Sequence, residues 1–354
     1  MKVLFDHQIF SSQRFGGVSR YHAELFREFD RCGDPAWSLP LFFSNNAYLA
    51  ELRPVRRFFP NHPFRGRERL LERINRVRAA AALRRGDFDV FHPTFYDSYF
   101  VGRLGAKPMV LTVHDMIHDE YPELPAAGWE VREKSRSVAA ARLIITPSQA
   151  TADALIRLYR IAAARVRVIP HGAPPPRTGA PPALNAGEFI FVGGRGYYKN
   201  FDVVLRTLVL RPQYRLLCVG SAFSPPELAR QAELGVAERV RQIALFGNKE
   251  LSDAYAASAG LIFPSENEGF GLPVLESFAA GCPALVSDIP VFREVAGEAA
   301  IYFAPHSPEA LAAGMDELAA RRAEWTAAGL ARVGLFNWQT CAAETAAVYR
   351  EVLR

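Results

Sequence analysis

Short apolar runs alternate with helical patterns along almost the whole chain, and this alternation constrains the fold more than any other feature. In the first half the runs lie at residues 3–5, 37–43, 90–92, 109–113, 143–146 and 166–169. In the second half they lie at 189–192, 216–219, 243–246, 261–263, 284–286 and 300–303. Many are continuously apolar, which suits parallel strands buried on both faces. Helical patterns such as 203–210, 250–259 and 308–322 separate them. Such alternation predicts doubly wound parallel sheets. Residues 173–182 hold five prolines and a glycine. Neither a helix nor a central strand can form there. A linker is therefore placed at 173–183, between one domain at 1–172 and another at 184–337. Residues 338–354 read as a helix with Cys341, Thr345, Val348 and Val352 on one side. It is expected to pack back on the first domain. The expected architecture is α/β, with two Rossmann-like doubly wound domains facing across a cleft. Open parallel sheets bind ligands at the edge that would line such a cleft.

Composition removes several function classes. The chain has 354 residues, 49% of them apolar and 22% charged, as in ordinary globular proteins. The opening Met1-Lys2 leads into only three apolar residues before Asp6 and His7. That run reads as a buried strand, too short for a signal-peptide core. No apolar stretch reaches the roughly 18–20 residues needed to span a bilayer. The expected location is cytoplasmic. Cys32, Cys218, Cys282 and Cys341 are scattered and read as reduced thiols rather than a metal site or disulfides. The net charge of +5 is concentrated between Arg53 and Arg85. There Leu70, Leu71, Ile74 and Val77 recur at helical spacing among arginines. The pattern suits either a helix on an anionic membrane face or, as the commoner case, a surface helix packed on its own domain. No nucleic-acid module surrounds it, and nucleic acid is not an expected partner.

The most informative stretch runs from Phe263 to Gly281, through Glu268-Gly269-Phe270-Gly271-Leu272-Pro273 to Glu276. It begins at a strand end, passes a glycine-flanked loop and enters a helix near Pro273, with Glu276 placed in the first turn. A helix start preceded by glycines offers free N–H groups and a positive dipole end to a diphosphate. Glu276 suits a ribose diol and Glu268 suits the sugar. On the residues alone, a solvated loop and a stabilised helix start fit equally well. Glu268 and Glu276 are separated by seven residues. With the intervening Gly269 to Pro273 they resemble the paired-glutamate motif of retaining glycosyltransferases of the GT-B fold, family four. Residues 283–287 and 294–297 fit the same pattern. The resemblance implies that Glu276 binds the donor ribose and Glu268 lies near the transferred sugar, with Gly269, Phe270, Gly271 and Leu272 around the donor.

The same resemblance reaches other strand ends. Gly193-Gly194-Arg195-Gly196-Tyr197-Tyr198-Lys199-Asn200-Phe201 resembles the family's phosphate loop, with Arg195 and Lys199 as the cationic pair. Its Tyr-Lys-Asn-Phe form is similar to bacterial mannosyltransferases of polysaccharide and O-antigen assembly. Gly16-Gly17 is assigned to the donor diphosphate and His114 to a sugar hydroxyl, with Asp115 orienting the histidine. Tyr21, Asp115 and His118 are candidate acceptor contacts. Residues 246–250, including Asn248, resemble the stretch lining the nucleobase pocket. Ser148 reads as a helix N-cap. No Asp-x-Asp motif sits at a convincing strand end, so no metal and no cofactor are expected. The implied activity is hexosyl transfer, with GDP-mannose as the favoured donor and a glycan or polyprenyl-diphosphate-linked acceptor. A UDP-sugar transferase, a nucleotide-sugar epimerase and a non-catalytic nucleotide- or glycan-binding protein remain as alternatives.

Overall fold

The computed structural model describes residues 1–62, 64–244 and 247–354. The chain divides into two compact units, Met1–Gly172 with Trp338–Arg354, and Ala173–Asn337.

The first unit contains β1 (Lys2–Phe5), β2 (Ala36–Ser38), β3 (Val90–His92), β4 (Val110–Thr112), β5 (Leu143–Thr146) and β6 (Val166–Val168). The orders are β2-β1-β3 and β4-β5-β6, every pairing is parallel, and a bridge between Phe91 and Met109 links the two sets. Strands β3, β4 and β5 are buried along their whole lengths. The strand expected at 37–43 ends at Ser38. Pro40 has no N–H for a ladder. Beyond Leu41, the N–H groups of Phe42 and Phe43 donate to the buried Asn75 side chain at 2.8 and 3.2 Å. Asn75 lies on the helix Arg67–Arg85, whose buried side is Leu71, Asn75, Ala79, Ala82 and Leu83. Leu70 and Val77, expected in one apolar stripe with Leu71, are instead 42% and 65% exposed. The helix Trp338–Glu351 belongs to this unit and packs on the helix Gly17–Cys32. Its buried Tyr349 hydroxyl meets His92 Nδ1 at 2.6 Å.

The second unit contains β7 (Glu188–Val192), β8 (Arg215–Val219), β9 (Val240–Ile243), β10 (Leu261–Phe263), β11 (Ala284–Ser287) and β12 (Ile301–Phe303). They form one parallel sheet in the order β12-β11-β10-β7-β8-β9. Numbered within the unit, this is the Rossmann order 3-2-1-4-5-6. Phe189, Phe191, Ile262, Leu285, Met315 and Leu318 fill its core. The strand expected at 243–246 is placed at Val240–Ile243, in register with Leu216–Val219. Leu245 and Phe246 lie outside the described residues. The polar Arg241 hid this strand from an apolar-run reading, because its guanidinium is tied to Glu188 at 2.7 and 2.6 Å. Residues 173–184 form neither helix nor strand. They are anchored on this unit by the Arg177 N–H to the Ala279 carbonyl at 2.7 Å.

Candidate functional site

In the second unit the strand order reverses between β7 and β10. Ligands of open parallel sheets bind outside the carboxyl ends at such a reversal. The two loops leaving those strands are the ones that carry the glycine and glutamate motifs. After β7, Gly193 and Gly220 pack so closely that a Cβ on Gly220 would lie 2.8 Å from the Gly193 carbonyl oxygen. A single 3-10 turn, Tyr197–Lys199, follows, and Asn200 in a left-handed conformation leads into the helix Phe201–Leu210. This geometry points the Lys199 ammonium at the loop after β10, where it pairs with the Glu268 carboxylate. Both side chains are mostly buried, and the ammonium lies 5.2 Å from the Phe263 ring. The Glu266 N–H donates to the Tyr198 carbonyl at 2.8 Å, tying the loops together.

Arg195, the other cation of the expected pair, is engaged within its own surroundings. Its side chain is 3% exposed, with Nε 2.6 Å from a Glu227 oxygen and Nη2 donating to the carbonyls of Ser221 and Ala222. Phe223 lies over its guanidinium at 4.6 Å, and Nη1 is buried without a hydrogen-bond partner. Glu227 in turn accepts from the Ser224 backbone N–H and hydroxyl, closing the N-terminal cap of the helix Pro225–Glu233.

Gly271 has a φ of 95°, and a Cβ there would meet Phe292 at 2.9 Å. It caps the helix Leu272–Ala279, with Pro273 second. Glu276 therefore sits in the second turn rather than the first, because the left-handed glycine starts the helix one residue earlier than Pro273. The half-buried Glu276 carboxylate accepts from the buried Tyr255 hydroxyl at 3.4 Å. Asn248 opens the helix Asn248–Ala257. Phe246 of the same stretch lies outside the described residues.

In the first unit, His114 follows β4 and is 7% exposed. Burial pushes its pKa down to about 4, so the ring is neutral at pH 7. Its backbone N–H donates to the Tyr96 hydroxyl at 3.0 Å. Asp115 does not orient the ring by a hydrogen bond; its carboxylate accepts from the Ile117 N–H at 3.1 Å and starts the short helix there. Tyr21, a candidate acceptor contact, is fully buried, and its hydroxyl meets Thr112 Oγ1 at 3.1 Å. His118 pairs with Glu130 at 3.0 Å and lines a surface cavity of about 610 Å³ with Val131, Arg132 and Arg136. Gly16 precedes the helix Gly17–Cys32; a Cβ there would lie 2.4 Å from Gln13 Oε1. That same oxygen accepts the Ser19 N–H. Ser148 accepts the Thr151 N–H at 3.1 Å, the cap its sequence called for. Among the described residues no group of three or more His, Cys, Asp or Glu side chains is arranged to hold a metal ion.

Comparison with known proteins supplies the family. Residues 15–177 match the family described as Glycosyltransferase Family 4, and residues 181–328 match Glycosyl transferases group 1. A D-inositol 3-phosphate glycosyltransferase of Thermobispora bispora is 30% identical over 315 residues, covering 78% of this chain and 74% of the relative. The chain is a family 4 glycosyltransferase. The O-antigen chain mannosyltransferase B of Escherichia coli is 29% identical over 299 residues, covering 77% of each chain. The crystal structure of HepE from Anabaena, solved with UDP and glucose, superposes with a TM-score of 0.72 at 18% identity. That match covers 99% of this chain and 100% of HepE. The glycosyltransferase thus has the GT-B fold. Two residues of its switch-point region escaped the sequence reading. Ser224-Pro225-Pro226-Glu227 is a legible capping box, but nothing local says that Glu227 also holds Arg195. Tyr255 carries no local signal at all, since it meets Glu276 across two helices.

Proposed function

We propose that this glycosyltransferase moves a hexose, with mannose from GDP-mannose as the favoured donor, to a glycan or lipid-linked acceptor in surface polysaccharide synthesis. The transfer retains configuration and uses no metal ion. The observation that carries the reading is the Lys199–Glu268 pair at the strand-order reversal. A donor diphosphate takes Lys199 from Glu268, which leaves the Glu268 carboxylate for the sugar. Glu276 accepts from the ribose diol. Gly269, Phe270, Gly271 and Leu272 surround the diphosphate, with Gly193 and Asn248 as further donor contacts. As the C1–O bond breaks, Lys199 and the helix start at Leu272 take up the negative charge on the departing diphosphate. Arg195 joins them only after leaving Glu227. The acceptor oxygen forms the new bond on the same face, and its proton goes to a diphosphate oxygen. In the first unit, His114 is assigned to a sugar hydroxyl, Gly16 and Gly17 to phosphate oxygens and His118 to the acceptor.

The O-antigen relative supports mannose. HepE, solved with UDP and glucose, supports a UDP-sugar as the second reading. A cytoplasmic location, with peripheral attachment to an anionic membrane through residues 53–85, belongs to the same proposal. No described helix is long and apolar enough to cross a membrane. A thermal-shift screen of GDP, UDP, ADP and their sugars decides the base, since ligand binding raises stability by mass action. GDP and GDP-mannose are expected to give the largest shifts. Glu276→Ala should raise the donor KM about ten- to a hundredfold, the loss of one or two charge-assisted hydrogen bonds. Unchanged donor affinity and turnover in that variant would remove the site assignment.

A further inference from the structure

A buried ammonium lies behind the segment that follows β4. Lys134, on the helix Ala127–Ala140, has no exposed side-chain surface. Its Nζ donates to Asp119 Oδ2 at 2.6 Å and to the Asp115 carbonyl at 3.2 Å. The Glu130 carboxylate, one helical turn earlier, is 3.8 Å away, and the Tyr96 ring centre 5.0 Å. Tyr96 holds the other end of the segment, since its hydroxyl accepts the His114 N–H at 3.0 Å. The second Asp119 oxygen accepts the Tyr159 hydroxyl at 2.6 Å. Glu130 also meets His118. One ammonium therefore touches the carbonyl beside His114, the carboxylate beside His118, and the ring that anchors the His114 backbone.

Burying a lysine is costly unless its charge is paired and its three protons find acceptors. A methionine or leucine would fill the same helix position without that cost. Pairing with Asp119 alone would settle the charge. The contacts to the Asp115 carbonyl and the Tyr96 ring go beyond that, and both act on the backbone that carries His114.

We propose that Lys134 is a positioning residue for the transfer reaction, holding residues 114–119 so that His114 and His118 keep their places. The inference rests on the reading of His114 as a group that faces the sugar. The competing role is structural, in which Lys134 only neutralises Asp119.

Three variants of the full chain separate these possibilities. Lys134→Met strands a buried carboxylate and is expected to lower both the melting temperature and turnover. Lys134→Met with Asp119→Asn removes the ammonium and the carboxylate hydrogen-bonded to it, leaves Glu130 against His118, and is expected to regain most of the melting temperature. Turnover is read as nucleoside diphosphate released from GDP-mannose and from UDP-glucose. In the double variant kcat is expected to stay about ten- to a hundredfold down, the scale of a small misplacement at a reacting centre. The donor KM is expected to stay near the parent value, because Glu268 and Glu276 are untouched. Recovery of kcat together with stability would overturn the positioning role and leave the His114 reading intact. His114→Ala is run in parallel. If it leaves kcat unchanged, the His114 reading fails and the Lys134 proposal falls with it.

Discussion

The ion pairs of the second unit set what its side chains can do before any ligand arrives. Lys199 and Glu268 form a closed, mostly buried pair, which in the proposed function a donor diphosphate opens. Arg195 is held differently. Its Nε points to Glu227, its Nη2 to two carbonyls and its Nη1 into a buried space without a partner, and its flat face lies under Phe223. Removing one partner of a buried pair leaves an uncompensated charge, which costs about 3 kcal/mol. Glu227 is about a quarter exposed, so solvent reduces that figure. Glu227→Ala should thus destabilise the protein by about 2 kcal/mol, through the lost pair and the lost cap together. Urea denaturation measures this, and an unchanged midpoint would show that the Arg195 contact contributes nothing.

At the level of elements, the helix Arg67–Arg85 illustrates how a charged helix divides its faces. Leu71, Asn75, Ala79 and Leu83 go inward, while Leu70, Val77 and most of the arginines stay outside. The exposed Phe59 and Phe64 lie in the segment just before it. The face that could meet an anionic surface is therefore the one carrying Arg69, Arg73 and Val77, and the sequence stripe that included Leu71 is not. Arg76 is already paired with Asp97 and lies over the Tyr99 ring at 5.0 Å, so the test uses Arg69 and Arg73. Arg69→Glu with Arg73→Glu should lower binding to phosphatidylserine-containing vesicles at low salt. Each basic residue near such a surface contributes about 1 kcal/mol, so a loss of tenfold or more is expected. Equal binding by parent and variant would assign the helix to its own unit alone.

Across the whole molecule, five of the eight histidines are buried in the first unit: His7, His22, His92, His114 and His171. Burial lowers the pKa of each, to about 4 for His7 and His114 and to about 3 for His92. His22 and His171 are also held well below the ordinary value by burial. The unfolded chain binds more protons than the folded one between the ordinary histidine pKa and these lowered values. Stability from the neutral rings is therefore complete above about pH 6.5 and is lost as pH falls toward 4. One such ring is worth about 3 kcal/mol at the end of that range. Asp6, raised by burial, acts in the opposite direction. The second unit holds only His306, which is exposed. With the slower intrinsic amide exchange at acid pH corrected for, protection factors at pH 5 should fall below those at pH 7.5 first in the first unit. A parallel fall in both units would count against this reading.

Residue order alone carried the fold class and the family, because both rest on local regularities. Apolar runs buried on two faces announce parallel strands, and Glu268 to Glu276 is a contiguous motif whose glycines and proline dictate a loop entering a helix. Strands whose charges are paired elsewhere were less legible, as Arg241 in β9 shows. The run 37–43 misled for the opposite reason, since Asn75 from a distant helix takes the N–H groups a strand would need. Tertiary structure decided which side chains meet. It joined Lys199 to Glu268, drew Arg195 to Glu227, set Tyr255 against Glu276 and put Lys134 behind His114. Each of these contacts is made between residues separated by about 20 to 70 positions, on elements that only the packed sheet brings together. Hydrogen bonds and ion pairs are short-ranged and directional, so their partners are fixed by the folded backbone and not by spacing along the chain.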